Sequence, residues 1–203
     1  AHLDDFLAGK PSQAVRDALG EKLLRLYFRQ VLALGALHAD PHLGNYLFGK
    51  DGSVGLVDFG CVKHFPAWTV SVFRGLWSLD ESEVGSDKNL AFWQEWLDLN
   101  KTGLSVRDHR DILDRVGRFY QKLYPRRRGQ RAEPFDFGRV DFWKDLQEIA
   151  RRSISEKIHT PESIFLFRAE MGLYNILNRL SARVCTSRVL AEEIRRSEGG
   201  SLR

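Results

Sequence analysis

Cysteine is scarce: the 203 residues hold two, Cys61 and Cys185, far apart and without metal-ligand spacing. That speaks against a disulfide framework and against a zinc site, and reads as free thiols in a reducing compartment. Long apolar runs are missing too. No stretch of 18 or more apolar residues occurs, so no membrane-spanning helix is expected. The opening residues AHLDDFLAGK lack the basic, apolar, small-residue order of a signal peptide, and the chain reads as intracellular. An excess of one charge is likewise absent, since 31 Lys plus Arg against 27 Asp plus Glu leave only +4. This is too little to name nucleic acid or a membrane as a partner. The densest basic run, Arg126, Arg127, Arg128 and Arg131, is read as a solvated loop, with a surface for anionic lipid or phosphate as the alternative. There is no internal repeat and no long low-complexity linker.

What is present is ordinary globular composition. A 43% hydrophobic content over this length allows one domain with a sizeable core. Helical periods dominate. Between Glu21 and Leu34 the positions Leu23, Leu26, Tyr27, Val31 and Leu34 share one face, and Gly35 stands where a left-handed cap would end the helix. Further helices are expected over Trp68–Leu79, Leu90–Leu99, Arg107–Tyr124, Val140–Ile158, Pro161–Val184 and Ser187–Arg196, with 197–203 as a frayed tail. In the helix from Pro161 the stripe Ile164, Phe167, Met171, Tyr174, Leu177 and Leu180 is read as core. The one β signal is a short hairpin, Tyr46-Leu47-Phe48 and Val54 to Val57 about a Gly49-Lys50-Asp51-Gly52 turn.

That hairpin separates two polar clusters. His38, Asp40 and Asn45 fit His-x-Asp-x-x-x-x-Asn, and Asp58-Phe59-Gly60 follows after 12 residues. This is the layout of a kinase catalytic loop and metal-binding loop. A carboxylate on the first loop can accept the proton of an attacking hydroxyl. An Asn amide oxygen and a second carboxylate suit hard Mg²⁺. Each piece alone is a turn or a cap; the conjunction at fixed offsets is specific.

The residues between narrow the match. His38-Ala39-Asp40-Pro41-His42-Leu43-Gly44-Asn45 resembles the His-Ala-Asp-Pro-His-Pro-Gly-Asn signature of the UbiB/ADCK family of atypical protein-kinase-like proteins. The likeness extends more loosely to Phe167-Arg168-Ala169-Glu170-Met171-Gly172-Leu173. The resemblance implies a mainly α, protein-kinase-like C-lobe with a small β-hairpin carrying the catalytic and metal-binding loops. It implies ATP and Mg²⁺ as cofactors and a role in ubiquinone-type isoprenoid-lipid metabolism. In it, Asp40 and His38 are the catalytic residues, His38 bracing the loop. Asn45, Asp58, Phe59 and Gly60 bind the cofactor, with Asn45 and Asp58 as metal ligands. His42 is assigned a structural role. Leu43 departs from the family's Pro, which leaves the loop less restrained.

Other expectations follow from what is not found. About 37 residues precede His38, without V-A-I-K, a Gly-rich loop or the family's lysine-and-glutamine motif. The chain therefore reads as a C-terminal lobe, 1–203, whose N-terminal kinase lobe is a partner in cis, and its start at Ala1 without Met fits missing upstream sequence. Little turnover is expected of it alone. No Ala-Pro-Glu follows Gly60, so the acceptor is expected to be a small molecule or lipid-like, or ATP hydrolysis to be coupled to another process. A peripheral membrane contact stays open. The alternatives are a degenerate, nucleotide- or partner-binding pseudokinase lobe, and a small-molecule phosphotransferase of the aminoglycoside or choline kinase type.

Overall fold

The computed structural model describes residues 1–203 except 50, 79, 81, 82, 126–132, 159 and 200–203. The basic run at 126–131 thus lies outside the described residues. Helices are α1 (Leu3–Ala8), α2 (Gln13–Leu32), α3 (Ala67–Trp77), α4 (Asp87–Leu99), α5 (Arg110–Leu123), α6 (Val140–Ser155), α7 (Pro161–Arg179) and α8 (Thr186–Gly199). Strands are β1 (Ala36–His38), β2 (Tyr46–Phe48), β3 (Val54–Leu56), β4 (Val62–His64), β5 (Phe135–Asp136) and β6 (Arg183–Val184). The architecture is mainly α, as the periodicity requires.

Helix α2 starts eight residues before Glu21, because the Ser12 hydroxyl accepts the Val15 N–H at 3.4 Å and caps the helix at Gln13. Its buried positions Leu19, Leu23, Leu24, Tyr27, Phe28 and Val31 cover more than one face, and it packs against α3, α7, α8 and β6. Gly35 takes φ +56° where the chain leaves the helix. Leu34, expected on the buried face, lies beyond the last helical turn and is 62% exposed.

The expected hairpin is β2–β3, with Tyr46 opposite Leu56 and Phe48 opposite Val54. A second ribbon encloses it: β1 pairs antiparallel with β4, placing His38 opposite Val62. Strands of three residues are too short for alternation to register in the sequence. The nested ribbons confine both polar loops, 39–45 and 57–61, to one end of the hairpin.

Helix α7 begins with Thr160 and Ser163 in a reciprocal capping box and Pro161 in the first turn. Its expected core stripe is correct only in its second half. Tyr174, Leu177 and Leu180 are buried, but Phe167 and Met171 are half-buried and Ile164 is 42% exposed. The buried face is turned toward Leu166, Glu170, Leu173 and Tyr174, because α7 is also packed along β1. The helix stops at Arg179 rather than Val184: Ser181 takes φ +46°, Ala182 N–H bonds back to Leu177 C=O at 3.0 Å, and Arg183–Val184 pairs with β5. Helix α8 runs on to Gly199, so the first three residues of the expected frayed tail are helical.

The core centres on Phe28, Trp77, Tyr124, Tyr174 and Phe137, all below 2% exposed. Phe28 meets Trp77 and Tyr124 edge-on, with ring centroids 5.1 and 5.4 Å apart. Full burial of such a ring stabilises by about 1.5–3 kcal/mol, with about 0.5–1.5 kcal/mol more for a well-placed aromatic pair. Arg25 of α2 reaches Glu192 and Glu193 of α8 and adds a polar clamp beside this core.

Candidate functional site

His38 closes β1 and points inward, 3% exposed. Its Nε2 lies 2.8 Å from the Asp58 carbonyl and 3.2 Å from that of Val57. Carbonyls only accept, so Nε2 carries a proton and donates. Nδ1 is buried without a partner. The His38 N–H donates to the Gln30 side-chain oxygen of α2 at 2.7 Å. The first loop is thereby tied both to the central helix and to the backbone of the second loop.

Asp40 follows on the exposed side. Its Oδ2 accepts Asn45 Nδ2–H at 2.8 Å and its Oδ1 accepts the His42 N–H at 3.3 Å. These bonds, the Asn45 bond above all, hold the carboxyl below the usual Asp range despite some loss of hydration. Asp40 is therefore ionised and acceptor-only at neutral pH. Burial, with a smaller push from the Asp40 charge, raises the neighbouring Tyr46 hydroxyl to about 12.

His42 caps the short 3₁₀ turn Leu43–Asn45, its Nδ1 accepting the Gly44 N–H at 3.1 Å. Leu43, where the resembled signature has Pro, packs against the core, and Asn45 N–H returns to His42 C=O at 3.0 Å. Turn and side-chain packing supply the restraint that a proline ring would have given. Asn45 is buried, and its C=O accepts Val57 N–H at 3.0 Å, which fastens the first loop to the second.

The second loop is exposed. Asp58 adopts φ +59°, a conformation Asp tolerates better than most residues, and its Oδ1 accepts the Gly60 N–H at 3.2 Å. Phe59 is 63% exposed, with only a ring edge on His38, their centroids 5.4 Å apart. Across the outer ribbon, Ala39 N–H bonds to Cys61 C=O at 2.9 Å. The predicted His38, Asp40, Asn45, Asp58, Phe59 and Gly60 thus sit on two backbone-linked loops.

The donor set suits a hard cation. The Asn45 amide nitrogen faces Asp40, leaving its Oδ1 without a hydrogen-bond partner among the described residues, and Asp58 Oδ2 is free likewise. Mg²⁺ is held by one or two such oxygens together with phosphate oxygens and water. Among the described residues no group of three or more His, Cys, Asp or Glu is placed to hold a metal ion.

Sequence reasoning missed three supporting residues. Gln30 anchors the His38 backbone. Gly172 of α7 lies under Pro41, where a Cβ would stand 2.8 Å from the Pro41 Cα and closer still to its Cβ. A glycine inside a helix was a signal of that close approach. Glu170, two residues earlier, is buried in the core; it stood in the sequence as an acid within an apolar stripe and as part of the looser likeness at 167–173, neither of which gave it a role. No helix is long and apolar enough to cross a membrane among the described residues.

Comparison with known proteins places this site in context. A 46-residue segment is 41% identical to a protein of Paramecium bursaria Chlorella virus 1 named as a candidate ABC transporter; it covers 23% of this chain and 10% of that protein. The chain thus matches about a tenth of that relative's length. Residues 1–82, which contain both loops and both ribbons, match the family model of the ABC1 atypical kinase-like domain, so that the site-bearing part of the chain is kinase-like.

Proposed function

We propose that the chain is the C-terminal lobe of a UbiB-like atypical kinase or ATPase that binds MgATP and acts in isoprenoid-lipid, ubiquinone-type metabolism. The observation that carries the reading is the joining of an ionised Asp40 to the two oxygen donors of Asn45 and Asp58 on backbone-linked loops, within a kinase-like segment. In this reading Mg²⁺ would be held by Asn45 Oδ1 and Asp58 Oδ2, and bound MgATP would supply the phosphoryl group with its charge neutralised. Asp40 orients, and accepts the proton of, the attacking hydroxyl or water. His38 holds the Asp58 backbone in place, while Phe59 and Gly60 shape the loop beside the nucleotide. The phosphate-covering loop and its lysine belong to an N-terminal lobe in cis. The acceptor is a small or lipid-like molecule, or water.

The test is thermal melting of the chain joined to its N-terminal lobe, with and without MgATP. A ligand at about 100 times its dissociation constant adds roughly 2.7 kcal/mol. The expected shift needs Mg²⁺ and disappears in Asp58→Asn. No shift at millimolar MgATP overturns the reading; a shift without phosphate release marks a pseudokinase.

A further inference from the structure

The most unusual group outside the loops is Glu170, a carboxyl 1% exposed in the middle of the core. It is fully satisfied: Tyr27 of α2 donates to Oε1 at 2.9 Å and Tyr120 of α5 donates to Oε2 at 2.6 Å. The hydroxyls of Tyr124 and Tyr174 pair beside it at 3.1 Å. The groups that face it are Tyr27 from α2, Tyr120 from α5 and Tyr124 just beyond its end, Tyr174 on α7 itself, and the uncharged indole of Trp77 from α3. Such burial is costly for an acid, and a hydrophobic residue of similar size would pack at less cost. The placement has a geometric consequence. Tyr27 lies three residues before Gln30, which holds the His38 backbone, and Glu170 lies two residues before Gly172, which touches Pro41. The stretch from His38 to Pro41 is held at one end by α2 and at the other by α7, and the Tyr27–Glu170 hydrogen bond ties those two helices to each other.

We infer that Glu170 is a positioning residue whose carboxyl fixes α7 against α2 and α5 and so sets the loop that carries Asp40, in a manner that depends on its proton. The ionised carboxylate accepts both hydroxyls at once. Once protonated, one of its oxygens becomes a donor, and a tyrosine hydroxyl must turn from giving to receiving. The two states therefore impose different hydrogen-bond directions on α2 and α5, and the loop, tied to α2 through Gln30 at His38 and seated on α7 at Gly172 through Pro41, shifts with them. Burial, only partly offset by the tyrosine hydrogen bonds, pushes Glu170 up to about 7, so that both states are populated near neutrality. The effect on nucleotide binding rests on the function proposed above; the effect on the loop does not.

The experiment is amide hydrogen exchange of residues 39–45 across roughly pH 5 to 9, corrected for intrinsic rates, in the wild type and in Glu170→Gln, which mimics the protonated acid. Whatever His38 and His42 contribute is common to both proteins, so the difference between profiles belongs to Glu170. We expect loop protection in the wild type to change severalfold with a midpoint near neutrality, and the variant to follow the acid limb at every pH. Identical profiles overturn the inference. Tyr27→Phe provides an independent check: losing one donor to the ionised form moves the midpoint upward, and an unmoved midpoint in a folded Tyr27→Phe overturns it as well. MgATP melting run alongside separates the two ideas. Absence of any MgATP shift with the exchange difference intact defeats the nucleotide reading alone, whereas an MgATP shift with identical exchange profiles defeats the Glu170 inference alone.

Discussion

Two carboxyl centres lie within one chain and are shifted in opposite directions from their ordinary ranges. Asp40 stands at the surface, takes hydrogen bonds from Asn45 and the His42 backbone, and is held below its ordinary range. Glu170 takes hydrogen bonds too, from Tyr27 and Tyr120, yet is pushed up to about 7. The hydrogen bonds favour the charged form in both places; hydration decides the sign. Near water the bonds win, and in an aromatic box the lost solvation wins. A surface loop can therefore keep a permanently ionised carboxylate while the core holds a proton-sensitive joint.

The largest expected effect breaks the buried centre directly. Trp77→Ala removes a wall of the box and destabilises by about 3–5 kcal/mol in denaturant unfolding. Water entering the cavity returns Glu170 toward the ordinary Glu range in a carbon-detected NMR titration, while Asp40 keeps its low value.

Next comes the pH dependence. Because Glu170 holds its proton to about pH 7 in the folded state against about 4.5 unfolded, its stabilising contribution is complete below pH 4.5 and is lost by pH 7. Stability falls with rising pH across that window by up to about 3 kcal/mol from this group. Glu170→Gln removes that slope. Unfolding curves with the same slope in both proteins would refute the assignment.

A smaller change strikes the joint between the centres. Gly172→Ala forces its methyl onto Pro41, and overpacking of this kind costs about 1–3 kcal/mol. The damage should spread to the loop as faster exchange at 39–45 while the α2–α8 clamp at Arg25 stays intact. Least of the four in its effect on melting temperature is Asn45→Ala. It removes the chief bond to Asp40, so the Asp40 titration moves back up toward the ordinary range and Glu170 is unaffected. An unmoved Asp40 would show that Asn45 is not what holds it.

The loops were legible because their chemistry is local. The spacing of His38, Asp40 and Asn45 and the Asp58-Phe59-Gly60 that follows a hairpin are written along one 23-residue stretch. The turn glycines and the short apolar runs on either side of them gave β2 and β3 directly. The outer ribbon was not legible, since pairing of β1 with β4 joins residues about 26 apart through strands too short for a pattern. The face of α7 was misjudged for a related reason: periodicity gives a stripe but not which neighbours will cover it, and β1 claims part of the helix that a simple stripe would leave to solvent.

By itself the sequence determined the helical class, the positions of most helices, the hairpin and the identity of the loop residues, because propensity, capping and turn chemistry act over a few residues. Only the tertiary structure decided that Gln30 and Gly172 hold the loop from two sides, that the Leu43 side chain restrains a turn where a proline was expected, and that Glu170 is an acid in a dry box of tyrosines. Those outcomes depend on hydration and close packing between segments more than 100 residues apart in some cases, as with Tyr27 and Glu170, and distance along a chain carries no record of either.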